Sequence, residues 1–253
     1  MNKEKLSMSE SIASNSHDHD HSQDDGLAYF AHKYVVPPAK YYIDKVLKRQ
    51  DLGDNIPKRG GVIKPTIASA FLKALGWTIK GDIPNVKKAV FLALPHTSYW
   101  DGVYAIPCII ALDLDVKVLG KQSLFKNFAS KAFFNWVGVI PIDRANKGSV
   151  LKATIDKFNE RTSLFLGLSP EGTRSYAEKW KSGFYHIARA ADVPIVPVAM
   201  DYATREIRFM HKVEPTDNYE ADLARILNMY RGVLPKHPEN MSQPLQDVNG
   251  IYD

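Results

Sequence analysis

Short apolar runs, each too brief to make an ordinary helix, recur along this chain between segments of helical periodicity. Residues 89–94 and 164–168 are continuous apolar stretches, and 193–200 is a third that carries Pro194 and Pro197. Runs of this kind predict strands buried on both faces. The two prolines place the third at an edge or at a bulge, because proline donates no ladder hydrogen bond. Shorter strands are predicted at 77–80, 115–119 and 137–142, with an edge strand at 207–213. Between them, Pro65 opens a helical stretch that places Ile67, Phe71 and Leu75 on one face, and Gly76 closes it. Residues 99–112 read as a helix in which Pro107 predicts a kink or early end. Further helices are predicted at 122–136, around 150–158, at 183–191 and over Leu223, Ile226, Leu227 and Tyr230. Strands alternating with helices predict an α/β fold, a largely parallel central sheet flanked by helices. In such sheets, ligands bind where strands end and helices begin.

The charge is uneven in a way that divides the chain. Residues 1–25 hold two lysines against six carboxylates, a net −4 that leaves +9 on the rest of a chain whose total is +5. This segment is rich in Ser, Asp, His and Asn, and it reads as a disordered acidic tail. It has no apolar core of the kind a signal peptide needs. His17, His19 and His21 alternate with Asp18 and Asp20, a run able to hold a stray divalent ion. Residues 26–64 form a basic segment in which tyrosines are interleaved with lysines, a composition suited to a membrane surface or to a solvated helix beginning near Lys40. Residues 65–253 hold the α/β body. Uncharged runs stop well short of the roughly 20 residues that span a bilayer, so no transmembrane helix is expected. The single cysteine, Cys108, excludes an intrachain disulfide framework and fits a reducing compartment. The basic body admits an anionic partner. No nucleic-acid recognition motif accompanies it, and no nucleic-acid partner is expected.

Four segments at predicted strand ends carry chemistry. After 89–94 the chain reads Pro95-His96-Thr97-Ser98-Tyr99-Trp100-Asp101. A spacing of five cannot stack His96 and Asp101 on one helical face, since the offset is about 140°. They meet if His96 lies on the turn and Asp101 in the first turn of the next helix, which favours an anion. Asp101 then binds one imidazole nitrogen and leaves the other as a base. Alone, the pattern is weak and better fits a histidine that merely caps the turn. After 164–168 comes Ser169-Pro170-Glu171-Gly172-Thr173-Arg174-Ser175, where Gly172 permits a tight turn. Arg174 offers a planar fork to phosphate or carboxylate, and Glu171 is placed to hold that guanidinium. Gly138-Val139-Ile140-Pro141-Ile142-Asp143-Arg144 ends in an Asp-Arg pair, and Val193-Pro194-Ile195-Val196-Pro197-Val198 suits the wall of an apolar slot.

In this order and spacing, HTSYWD, GVIPIDR, SPEGTRS and VPIVPV resemble the four-motif series of the 1-acylglycerol-3-phosphate (lysophosphatidate) acyltransferase family, the His-x4-Asp glycerolipid acyltransferases. The likeness covers about residues 75–202 and extends to Lys121-Gln122-Ser123-Leu124-Phe125 and Lys181-Ser182-Gly183-Phe184. It resembles a short subgroup without transmembrane helices. The resemblance implies transfer of a fatty acyl group from acyl-CoA or acyl-carrier protein to a lysolipid hydroxyl, by direct attack on the thioester. It implies His96 as general base and Asp101 as its orienting partner. Glu171, Gly172, Thr173 and Arg174 would bind the acceptor's phosphate, with Lys121 and Arg144 adding positive charge. No metal or redox cofactor is implied. The expected setting is cytoplasmic, with peripheral contact to an anionic membrane surface. A lyso-aminolipid acceptor, or a thioesterase or lysophospholipase using the same dyad, is the alternative. Ser169 stands where many members have phenylalanine, and Tyr99-Trp100 are bulky residues inside the first motif.

Overall fold

The structure, a computed structural model, describes residues 41–142 and 147–250. Its seven strands are β1 (Thr78–Gly81), β2 (Lys88–Leu94), β3 (Val116–Lys121), β4 (Val139–Ile142), β5 (Leu164–Leu168), β6 (Ile195–Asp201) and β7 (Glu206–Phe209). They form one sheet in the order β1-β7-β6-β2-β5-β3-β4. The pairing is parallel throughout except between β6 and β7, so β1 and β7 run against the other five. The helices are α1 (Ile63–Ala74), α2 (Trp100–Ala111), α3 (Phe128–Val137), α4 (Lys147–Glu160), α5 (Gly183–Ala190), α6 (Tyr219–Met229) and α7 (Gln243–Asn249).

Strand β2 lies at the centre and shows why the sheet needs helices on both sides. Val90, Leu92 and Leu94 enter one core with Phe158, Phe184, Ile187, Ile226 and Tyr230. Ala89 and Phe91 enter the other with Leu72, Cys108, Leu112, Phe165 and Val196. A strand buried on both faces cannot alternate polar and apolar residues, and this explains the unbroken run. Phe165 has no exposed surface. Its truncation to alanine would cost about 3–5 kcal/mol.

Several local expectations give way to tertiary contacts. The apolar stripe of α1 is turned outward: the buried residues are Pro65, Ala68 and Leu72, whereas Ile67 is 63%, Phe71 42% and Leu75 39% exposed. Pro65 is the third helical residue rather than the first, still within the turn whose N–H groups have no intrahelical acceptor. Helix α2 continues through Pro107 to Ala111. The bond lost there belongs to the carbonyl of Val103, a residue on the exposed side. The helix predicted at 122–136 is a 3-10 turn, Gln122–Phe125, followed by α3, whose start is fixed by Asn127 accepting from the Ser130 N–H at 2.8 Å.

Strand β6 is internal rather than at an edge. The carbonyl of Pro197 accepts from Met210 N–H, one residue past the end of β7, so its missing N–H falls where that ladder has already stopped. Strand β7 is internal too, and the edge on that side is β1. The part of the expected helix near Lys40 that falls among the described residues is not helical until a single 3-10 turn at Arg49–Asp51. Leu47 N–H binds the carbonyl of Ile79 and Gly81 N–H that of Lys45, so this segment is drawn out along the open edge of β1. Residues 1–40 and Arg144 lie outside the described residues, and with them the acidic tail and the first part of the basic segment, 26–40. No helix among the described residues is long and apolar enough to cross a membrane.

Candidate active site

Because β2, β5 and β3 are parallel neighbours, their C-terminal ends lie on one margin of the sheet. The first ends at His96, the second at the 169–174 turn, and the third at Lys121, whose side chain is outside the described set.

His96 Nδ1 lies 2.9 Å from Asp101 Oδ2. The same oxygen accepts from the N–H groups of Thr97 and Ser98, each at 2.9 Å. Asp101 Oδ1 accepts from the Tyr202 hydroxyl at 2.7 Å. Asp101 is only 2% exposed, so a buried carboxylate is met by four donors, as it must be to remain tolerable in a core. The arrangement follows from local sequence, with Asp101 in the first turn of α2 facing back over the turn that carries His96. With Nδ1 engaged as a donor, Nε2 is the basic nitrogen, on a side chain 35% exposed. Tyr202 is held by neighbouring rings, with Trp77 edge-on at 5.0 Å and Tyr104 at 5.9 Å. Burial, and then the Asp101 charge, push its hydroxyl far above the usual phenol range, so it stays a donor.

The 169–174 turn departs from expectation. Glu171 does not face Arg174. It points inward, 3% exposed. It accepts from the His96 backbone N–H at 2.8 Å, the Ser242 hydroxyl at 2.8 Å and the Ser169 hydroxyl at 3.4 Å. Burial raises its carboxyl above the usual 4.5, opposed by these hydrogen bonds. Glu171 therefore joins the second turn to the first. Arg174 instead lies flat on Tyr99, with Cζ 3.4 Å from the ring centroid. Gly172 takes a left-handed φ of +66°, and a Cβ there would collide with the Lys181 ammonium, which is tucked against the turn. Thr173 Oγ1 accepts from Ser175 N–H at 3.2 Å and tightens the same turn.

Residues beyond β7 close over this margin. Ser242, besides binding Glu171, accepts from Trp180 Nε1 at 3.0 Å. His237 N–H donates to Thr97 Oγ1 at 3.2 Å. Sequence reasoning missed Tyr202 and Ser242, and it placed Lys181 in the family likeness without giving it a role. Tyr202 had a usable signal, since it stands one residue past β6 on the same margin as His96. Ser242 had none: it is 71 residues from Glu171 and starts a short helix with no apolar periodicity.

Residues 77–201 match the Acyltransferase family. The matched stretch takes in just under half of the chain. Two curated relatives, the 1-acyl-sn-glycerol-3-phosphate acyltransferases of Salmonella typhimurium and Salmonella typhi, are each 30% identical over 132 residues, 50% of this chain and 52% of theirs. The chain thus spans about half the length of the curated relatives it matches. A crystal structure of the 1-acyl-sn-glycerophosphate (LPA) acyltransferase PlsC from Thermotoga maritima aligns with a TM-score of 0.46 and 20% identity over 62% of this chain and 71% of that one. His96, Asp101 and the 169–174 turn all fall inside the Acyltransferase stretch, as does Trp180, whereas Tyr202, His237 and Ser242 lie beyond it.

Proposed function

We propose that the chain is an acyltransferase that moves a fatty acyl group from acyl-CoA or acyl-carrier protein to the hydroxyl of a lysophospholipid such as 1-acylglycerol-3-phosphate. The observation that carries this is the His96–Asp101 pair, 2.9 Å apart, at a strand-end margin that also holds Arg174. His96 Nε2 takes the proton of the acceptor hydroxyl as its oxygen attacks the thioester carbonyl carbon. The new C–O bond forms, the C–S bond breaks, and the imidazolium returns the proton to the leaving thiolate. Asp101 holds the ring in the tautomer this needs and offsets the imidazolium charge. Arg174 binds the acceptor's phosphate, aided by Lys121 and Arg144. Glu171 acts from behind by fixing the His96 backbone. No metal or redox cofactor takes part. Such an acceptor resides in bilayers, so the enzyme meets it in peripheral contact with an anionic membrane surface.

Purified protein incubated with acyl-CoA, or with acyl-carrier protein thioester, and a panel of phosphate-bearing and amino lysolipids should acylate the phosphate-bearing ones, as read by lipid mass spectrometry. His96→Ala should lower turnover by about 10²–10⁴-fold, the usual weight of a general base. Free fatty acid released without dependence on acceptor would mark a hydrolase instead. Acylation confined to amino lysolipids would move the phosphate role away from Arg174.

A further inference from the structure

Helix α1 spends none of its large apolar side chains along one side on the core. Ile63 is 76%, Ile67 63%, Phe71 42% and Leu75 39% exposed, and Val62 just before them is 68% exposed. A run of this size on a surface marks an interaction site. It continues at both ends. At the start of α1, Lys64 Nζ lies 5.6 Å from the ring of Trp136 on α3, a helix that also exposes Phe128 and Phe133. At its end, Trp77 stacks on Tyr104 at 4.3 Å, Tyr104 on Trp100 at 6.0 Å, and the exposed Trp100 adjoins the buried Asp101. One apolar band thus runs from α3 along α1 to the turn that carries His96.

The exposed charge on α1 and α3 has one sign; the carboxylates of the cleft beside them are Asp113, buried and bound to Arg49, and Asp115, bound to Lys117. From Lys58 to Ala74 and from Lys126 to Val137 the chain has six lysines and arginines and no Asp or Glu. Along α2 the one carboxylate is the buried Asp101. Arg59 is committed to the carbonyls of Leu114, Trp136 and Val137, but Lys58, Lys64, Lys73 and Lys131 are exposed. An occupant must be both apolar and anionic. Residues 1–25 are acidic but poor in large apolar side chains, and residues 26–40 are apolar but carry no Asp or Glu. A second copy would set lysines against lysines. An anionic bilayer has both properties, its acyl region for the apolar side chains and its headgroups for the lysines.

We infer that the outward face of α1, extended by Phe133 and Trp136 of α3 and by Trp100 of α2, is the surface that docks the protein on an anionic lipid bilayer. It rests on the acyl-transfer reading for its purpose, since docking there sets the mouth of the His96 site at the membrane. The test uses the full chain and vesicles of phosphatidylglycerol with phosphatidylethanolamine, against vesicles of phosphatidylcholine alone. Binding should favour the anionic vesicles and weaken with salt. Brominated acyl chains should quench the exposed Trp100 and Trp136 and spare the buried Trp77 and Trp180. Ile63→Asp with Ile67→Asp should lower vesicle partitioning at least tenfold, at unchanged melting temperature and unchanged turnover of a monomeric short-chain acceptor. Lys58→Gln with Lys64→Gln and Lys73→Gln should lower it about fivefold per lysine and flatten the salt dependence.

Unaltered partitioning in both variants, or wild-type binding without quenching, overturns the proposal. So does a wild-type dimer that the aspartates dissociate, or a melting temperature they lower sharply, since either shows the band covered by protein. Loss of acyl transfer in every form, with vesicle binding intact, would sink the acyl-transfer reading and leave the docking surface standing.

Discussion

The turns after β2 and β5 each place a buried carboxylate at the same margin of the sheet, yet they are built to opposite ends. Asp101 is saturated by donors from its own turn and from Tyr202, and one of them is the imidazole. Its geometry leaves His96 a single orientation. In the second turn, Glu171 is also saturated, but by the backbone of the first turn and by Ser242. The cation of that turn is left outside, stacked on an exposed tyrosine and paired with no carboxylate among the described residues. One turn fixes its reactive group. The other fixes only its root and leaves Arg174 stacked on the Tyr99 ring, a freedom that under the proposed function would let it adapt to the acceptor's phosphate.

That contrast predicts which kinetic parameter each substitution moves. Asp101→Asn should have the largest effect, a fall in kcat of about 10³-fold with KM little changed, because the amide favours the wrong imidazole tautomer. Arg174→Gln should raise KM for a phosphate-bearing acceptor about 10–100-fold, the weight of charged hydrogen bonds, and leave kcat nearly intact. A fall in kcat matching that of Asp101→Asn would break the comparison. Glu171→Gln sharpens it through pH. Burial raises the Glu171 carboxyl, so the fold favours its protonated form; that stabilisation is complete below the usual value near 4.5 and is lost as pH rises through the raised one. The variant resembles the protonated form, so its melting temperature should gain on that of the wild type between pH 4 and pH 7. A difference independent of pH would show Glu171 ionising as if exposed. Tyr99→Leu should be mildest, a change of about two- to fivefold in acceptor KM from the lost cation–π contact, with kcat unchanged.

How far the sequence could be read depended on whether neighbours or distant segments decided each feature. The strands at β2 and β5 were legible because burial on both faces leaves continuous apolar runs. The meeting of His96 and Asp101 was legible because it needs only a turn and the first residues of α2. The orientation of α1 was not. Helical spacing finds a stripe but not what faces it, and here Pro65, Ala68 and Leu72 are the ones that pack inward. The internal place of β6 was hidden for a related reason, since Pro197 is tolerable only because β7 stops one residue short. Glu171 misled because its obvious partner was three residues away, whereas its actual partners come from β2's turn and from α7.

Ser242 and His237 reach back to Glu171 and Thr97 from outside the Acyltransferase stretch, and this bears on how such a domain can be recombined. Residues 77–201 transplanted into another scaffold would keep all four motifs and lose Ser242's bond to Glu171 and His237's bond to Thr97. Inheritance of the motifs would then not be inheritance of the catalyst. A chimera of this protein should carry its own residues at least through Asn249, the end of the helix that Ser242 begins.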